Sequence, residues 1–571
     1  MPTGFLQRIL KHSEIILLAV VILALRIGYS LILRFDSDEP QHLHVVWAWS
    51  KGMLPYRDVF DNHAPLFQYL CAPLFGLIGE RANIVMPMRW AMFPLYVLAV
   101  YGVFRLAAVF FPRRAALFIA VSGSLLPAYF LKSVEFRPDD LWAAVWFLSL
   151  AILIEGQWTI RRAFVFGLGL GVSFAVSMKT TLFVLTLALA FAILLGLKLL
   201  DKNARVPWSL FARCVGVAIL GTLVAPAVVV AYFAFHGALP QFYYGVIEHN
   251  IVPGMKRWNH PGYLQPWFAL TLAGLILGAT LIYRLGANVA ARSRMVVTFL
   301  LPGCYVLVLY GFWPDIPRED DLPLYPLIPL AVCLLAAAVL PKVGREAIGR
   351  FSTKLAWAVI AIQVTWLLVV RQPWARENRS QVAAIATILQ LTTPEDYVMD
   401  AKSGAIYRQR PFFFALETIT RMRMRHGLIK DDIRARLVET RTPVAVVKGV
   451  LDQSKSKDFI AANYLPLKGR DQIRVLGKLP TKEAAPMDGV FHFDVMIPGK
   501  YSIVDSLGRV PGELDGAPCE MGKELPAGRH EFHAARVSSG PVIFWDRALE
   551  KGYQPVLSDE ASLRHQADPG S

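Results

Sequence analysis

Long apolar runs separated by short polar loops dominate the first 370 residues. The first run covers residues 15–33. Others lie near 86–110, 115–131, 140–155, 163–178, 181–200, 209–235, 265–283, 295–313, 322–340 and 355–370. A helix rises about 1.5 Å per residue, so a run near 20 residues matches the roughly 30 Å hydrocarbon core of a bilayer. The pattern predicts about eleven membrane-spanning helices. The first run is read as a retained span, because its apolar length exceeds a signal-peptide core and no small-residue cleavage site follows.

The pattern changes after residue 370. Residues 371–485 mix short apolar strands with basic helical stretches such as "RMRMRHGLIKDDIRARLVE", which predicts an α/β unit. Residues 486–571 read as short strands with glycine turns, which predicts a β-sandwich. The fold class is therefore a polytopic α-helical membrane protein, with 1–370 as the membrane domain and an α/β plus β-rich region after it.

Charge supplies the orientation. Every second loop is basic: Arg113 and Arg114; Arg161 and Arg162; Lys198, Lys202 and Arg205; Arg284, Arg292 and Arg294; Lys342, Arg345, Arg350 and Lys354. The positive-inside rule makes these loops and the N-terminus cytoplasmic. The acidic loops 34–85, 132–140, 236–264 and 313–322 then face outward, together with the segment after 370. The formal net charge of +16 is accounted for largely by this loop bias, so no nucleic-acid partner is implied. Of five cysteines only Cys519 lies in the outer region, so no disulfide framework is expected there. A bacterial inner membrane with a periplasmic C-terminal domain fits these features.

Ionisable side chains beside a bilayer are costly and mark candidate sites. Loop 34–85 supplies Asp36, Asp38, Glu39 and His42, and loop 132–140, "KSVEFRPDD", supplies Lys132, Glu135, Arg137, Asp139 and Asp140. Lys179 stands in "VSMKTTLF" between two apolar runs. Loop 236–264 adds Glu248, His249, Lys256, Arg257 and His260, and loop 313–322 adds "PDIPREDD". A carboxylate can accept the proton of an attacking hydroxyl, and a guanidinium can hold a phosphate through two parallel hydrogen bonds. A substrate with its phosphate at headgroup level and its tail in lipid needs both groups here.

The "DSDE" motif after the first span, followed by "GMLPYRDVFDNHAPL", resembles the GT-C-fold glycosyltransferases that use lipid-phosphate sugars. That family includes protein O-mannosyltransferases and the aminoarabinose transferase of lipid A. "EFRPDDLWAAVWFL", "GLGLGVSFAVSMKTTLF" and "DLPLYPLIPL" follow in the order in which the family carries an Arg/Asp segment, a Gly-rich span ending in Lys and a Tyr/Pro-rich late span. The resemblance covers about residues 10–370. It implies an inverting transferase with a polyprenyl-phosphate donor and a lipid, glycan or protein acceptor. Carried over, Asp38 is the general base with Glu39 in support, Arg137 and Lys179 bind the donor phosphate, and Asp139 contacts acceptor or orients Arg137. Asp36, His42, Tyr56, His63 and Tyr325 become substrate-binding candidates. Two positions depart from the family: Gln41 stands where the aminoarabinose transferases have Arg, and His63 takes a place that relatives often fill with Lys.

Each residue also has a plainer reading. Asp38 is placed to cap a helix through "EPQHLHVVWAWS", with Pro40 in its first turn. His42 falls one turn later and can simply bond Asp38. Arg137 and Asp139 can be a structural pair at a helix start, and Lys179 can snorkel to the interface. The histidines and acids of loop 34–85 also permit a divalent metal, although no fixed ligand spacing calls for one and no cofactor is firmly expected. A transporter or flippase for a lipid-linked or polar solute is the alternative class of function. Acids gathered at one face, with no paired broken-helix repeat, argue against it.

Overall fold

The computed structural model describes residues 3–557 except 202–206, 255–259, 287–290, 341, 448–455, 481–488 and 537–539. Lys202, Arg205, Lys256 and Arg257 lie outside the described residues. The chain forms two compact units. The first comprises Met1–Glu39, Asn62–Leu77 and Val85–Asn378, and the second Pro40–Asp61, Ile78–Ile84 and Arg379–Ser571.

The helices are α1 (Thr3–Ile32), α2 (Glu39–Ser50), α3 (Leu66–Ile78), α4 (Val85–Trp90), α5 (Met92–Ala108), α6 (Arg113–Ser124), α7 (Pro127–Lys132) and α8 (Pro138–Ile154). They continue with α9 (Ile160–Val176), α10 (Thr180–Leu200), α11 (Trp208–Phe235), α12 (Leu239–Tyr243), α13 (Pro266–Leu285), α14 (Arg292–Phe312), α15 (Leu327–Val339) and α16 (Lys342–Arg371). All but α2 belong wholly to the first unit or its edges.

Among the described residues, seven stretches are long and apolar enough to cross a membrane: Ser13–Ile32, Val85–Ala108, Thr180–Leu200, Trp208–Phe235, Pro266–Leu285, Arg292–Phe312 and Lys354–Arg371. The other four apolar runs fold into shorter helices, α6 with 12 residues, α8 and α9 with 17 each and α15 with 13. Prolines shorten them. Pro127 opens α7 after a break at Leu125 and Leu126, Pro138 opens α8, and Pro326 caps α15. Loop 34–85 in turn contains the apolar helix α3, which the run pattern does not separate from the loop.

Burial distinguishes the helices. The apolar window of α14 is 67% buried, whereas that of α11 is 11% buried. Leu220, Leu223 and Val228 of α11 are largely exposed, as a lipid-facing stripe requires. α9 and α11 pack closely through glycines. A Cβ at Gly167 would stand 2.1 Å from the Ala218 carbonyl, and one at Gly171 2.5 Å from that of Thr222.

The second unit is built on two sheets. Its strands are β1 (Val398–Met399), β2 (Val444–Val446), β3 (Tyr464–Leu467), β4 (Arg470–Lys478), β5 (Val490–Val495), β6 (Gly499–Asp505), β7 (Gly508–Arg509), β8 (Gly512–Leu514), β9 (Ala517–Pro518), β10 (Lys523–Leu525), β11 (Gly528–Ala534) and β12 (Val542–Trp545). The larger sheet runs β1-β2-β4-β12-β6-β10, with β3 on β4 and β7 on β6, and the smaller β5-β11-β8-β9. β1 and β2 are parallel, Val398 opposite Val444, while β6 and β12 are antiparallel, Ser502 opposite Phe544. Segments 371–485 and 486–571 thus share one sheet. They also share one core, in which Val475, Ile503 and Ile543 lie with Phe493 and Phe532 of the smaller sheet.

Candidate active site

Four connections of the first unit supply the site: residues 33–38 after α1, 133–137 before α8, 177–179 before α10, and the turn Arg318–Asp321 after α14. Glu39 ties the first two together. It is fully buried in a two-pronged pair with Arg89 of α4, at 2.7 and 2.6 Å, and it also accepts the backbone N–H of Asp36 at 2.9 Å and of Phe136 at 2.8 Å. Arg89 donates further to the carbonyls of Leu33 and Arg34 at the end of α1. Arg26, buried in α1, reaches the Ser133 hydroxyl at 2.8 Å and its carbonyl at 2.7 Å. In the Glu39–Arg89 pair, carboxylate and guanidinium alike are satisfied, which a buried ion pair requires.

Arg137 stands at the centre of the cluster. Nη1 donates to Asp36 at 2.8 Å, Nη2 to Asp38 at 2.9 Å and to Glu319, and Nε faces Asp139 at 3.4 Å. Lys179 donates to Asp139 at 3.2 Å and to Asp320 at 2.5 Å. Lys132 contacts Glu135 at 2.9 Å, Asp36 at 3.2 Å and Glu319 at 3.8 Å. Three cations and six carboxylates thereby form one continuous network.

The electrostatics follow from that network. Burial raises the Asp36 carboxyl, but Arg137 and Lys132 outweigh it and hold the group below the usual range. Burial lowers Lys132 and Lys179, yet their carboxylate partners prevail and keep both ammonium groups charged. Burial also pushes Glu135 up, with Glu39 adding to it. The Asp320 carboxyl is pushed up to about 7, by burial first and then by Asp139, against the pull of Lys179.

The structure brings Asp36, Asp38, Asp139, Arg137 and Lys179 into one cluster, and α2 begins at Glu39, directly after Asp38. The capping position and the Arg137 contact are therefore held by the same residue. Tyr325 lies in the first unit with its hydroxyl 3.4 Å from Asp321, a carboxylate that Tyr310 also binds. His63 is partly buried in the same unit. His42 and Tyr56 fall in the second unit, where His42 is fully buried and Tyr56 adopts a positive φ of 69°. Sequence reasoning gave no site role to Lys132, Glu135, Glu319, Asp320 and Arg89. The first four carried the available signal, charge at span ends; Arg89 showed itself only as an arginine inside an apolar run. Among the described residues, no group of three or more His, Cys, Asp or Glu side chains is placed to hold a metal ion.

The fold is similar to that of ArnT from Cupriavidus metallidurans. The apo structure aligns with a TM-score of 0.53 and 14% identity over 82% of this chain and 98% of that one. The structure bound to undecaprenyl phosphate aligns with a TM-score of 0.51 and 14% identity over 81% and 97%. The chain is thus a polytopic helical membrane protein of the GT-C fold, carrying a sheet-rich C-terminal region. No family model and no curated protein sequence matches it.

Proposed function

We propose that the protein is an inverting glycosyltransferase that moves a sugar from a polyprenyl-phosphate donor to an acceptor hydroxyl, at the periplasmic face of a bacterial inner membrane. One observation carries the reading: a partly exposed carboxylate, Asp38, shares a cluster at the span ends with Arg137 and Lys179. Asp38 takes the acceptor's hydroxyl proton as the oxygen attacks the anomeric carbon. The bond from that carbon to the phosphate oxygen breaks, its electron pair stays with the phosphate, and polyprenyl phosphate leaves. Arg137 and Lys179 bind the phosphate as its charge grows. Attack from the opposite side inverts the anomeric configuration. The undecaprenyl phosphate bound to ArnT supports a lipid phosphate as the donor's leaving group. The acceptor is a lipid, a glycan or a protein.

The test uses full-length protein in lipid nanodiscs and a panel of radiolabelled polyprenyl-phosphate sugars. Asp38→Asn is expected to lower turnover by about a hundredfold or more, the usual contribution of a general base. Full turnover by folded Asp38→Asn sinks the proposal.

A further inference from the structure

The turn Arg318–Asp321 divides its charges between inside and outside. Glu319 bonds Arg137 and stands 3.8 Å from Lys132, and Asp320 bonds Lys179 at 2.5 Å. Asp321 takes the Tyr310 hydroxyl at 3.0 Å and the Tyr325 hydroxyl at 3.4 Å. All three acids are buried. Arg318 is exposed, and among the described residues its guanidinium enters no ion pair and no hydrogen bond. Side chains three apart eclipse in a 3-10 turn, which puts Arg318 on the Asp321 edge. Its field reaches the Tyr325 hydroxyl: burial and then Asp321 push that group up to about 12, and Arg318 acts against them.

The network alone is a weak trap for an anion. Arg137, Lys179 and Lys132 face six carboxylates, so their positive charge is balanced within the protein. A phosphate that settles on Arg137 and Lys179 also meets those carboxylates, and it needs a cation that the protein has not already balanced. Arg318 brings one to the edge of the network, because Glu319, its neighbour in the chain, is held on Arg137.

We infer that Arg318 is a binding residue for the donor: its guanidinium takes the lipid phosphate from the solvent side through charge-assisted hydrogen bonds and supplies the positive charge that Arg137 and Lys179 share with carboxylates. The inference rests on the proposed transfer reaction. The phosphate is an anion before and after transfer, so this contact serves binding more than the chemical step. Its loss should raise the donor KM and change kcat little. A surface counter-charge for the three acids that follow it is the plainer role for Arg318. That role predicts lower heat resistance with an unchanged donor KM.

The test titrates the full chain in nanodiscs with a polyprenyl monophosphate and, as the uncharged probe, with the polyprenol. Donor kinetics are run on the same proteins. Arg318→Gln is expected to bind the monophosphate about tenfold more weakly than wild type, about 1.4 kcal/mol, with polyprenol binding unmoved. Its donor KM should rise by a similar factor. Arg318→Lys keeps the charge without the planar fork and should recover part of the loss. Arg34→Gln is the control. Arg34 is also exposed, follows α1 two residues before Asp36, and among the described residues its guanidinium enters no ion pair and no hydrogen bond. It carries the same charge and its removal should cost clearly less. Unchanged monophosphate binding in folded Arg318→Gln overturns the inference. An equal loss in Arg34→Gln does so too, because net charge then explains the effect, and so does an equal loss for polyprenol. If wild type transfers sugar while Arg318→Gln keeps its donor KM, the binding role fails and the proposed function stands. If wild type neither binds the monophosphate nor turns over any donor, both fall.

Discussion

Asp320 places a titration next to Lys179. Burial pushes its carboxyl up to about 7. Below that pH it is neutral, and above it a negative charge joins beside Lys179 at 2.5 Å, where Asp139 already stands at 3.2 Å. The proposed donor is a phosphodiester and carries one charge throughout this range, so the titration belongs to the protein. A more negative site binds an anion less well, and the sign follows. The KM for donor is expected to rise severalfold, roughly three to tenfold, from about pH 6 to about pH 8.5. Asp320→Asn should flatten that rise and hold KM near its low-pH value; a variant that keeps the full rise places the titration elsewhere. The sequence exposed Asp38, Arg137, Asp139 and Lys179 because each stands beside a span end within a motif. It did not show that Glu319 meets Arg137 across 182 residues, or Asp320 meets Lys179 across 141, since charge at a loop does not say which loops converge.

At the scale of elements, α9 carries Lys179 three residues beyond its last turn, and its position depends on close contact with α11. Gly167, Gly171 and Gly221 allow that contact, the last with 2.5 Å between an added Cβ and the Phe164 carbonyl. Backbone that near cannot yield as a flexible side chain does. Gly171→Leu is expected to cost about 1–3 kcal/mol of stability, the range for overpacking, and to lower donor turnover by displacing Lys179. A heat-challenge series read by size-exclusion chromatography checks it. Gly196→Leu on α10 serves as the control, because nothing lies within 4 Å of its added Cβ. Wild-type heat resistance in Gly171→Leu refutes the packing argument. The glycine-rich run itself was plain in the sequence, as were the helices under all eleven apolar runs. Helix ends were less plain: run length says nothing of the break before Pro127, and α3 was absorbed into a polar loop because Pro73 and flanking turns interrupt its signal.

The whole first unit constrains its own topology. Asp38, Arg137, Lys179 and Asp320 meet in one network, so the chain must cross the membrane an even number of times between each pair. Between Asp38 and Arg137 the span Val85–Ala108 crosses once, and a second crossing is required. The 13-residue apolar helix α3 and the pair α6–α7 are the elements available for it, and a crossing by α3 would put the basic pair Arg113 and Arg114 on the same side as Asp38, so the positive-inside rule favours α6–α7. Between Asp139 and Lys179, α8 and α9 cross as a pair or not at all; between Lys179 and Asp320 the four long helices α10, α11, α13 and α14 close the count. Counting only the seven long spans would put Lys179 on the side opposite Asp38, which the network forbids. With α6–α7 crossing, the basic loops and the acidic loops separate cleanly, and the positive-inside rule orients the set. Exposed positions then give distinct expectations for a membrane-impermeant maleimide. Gln265→Cys before α13 and Leu507→Cys in the second unit should label from the periplasmic side of intact cells, and Gln157→Cys between α8 and α9 only after lysis. Labelling of Gln157→Cys and Gln265→Cys from the same side would mean that one of the intervening helices does not cross. Complete reversal would keep the network and overturn the orientation, moving the transfer chemistry to the cytoplasmic face.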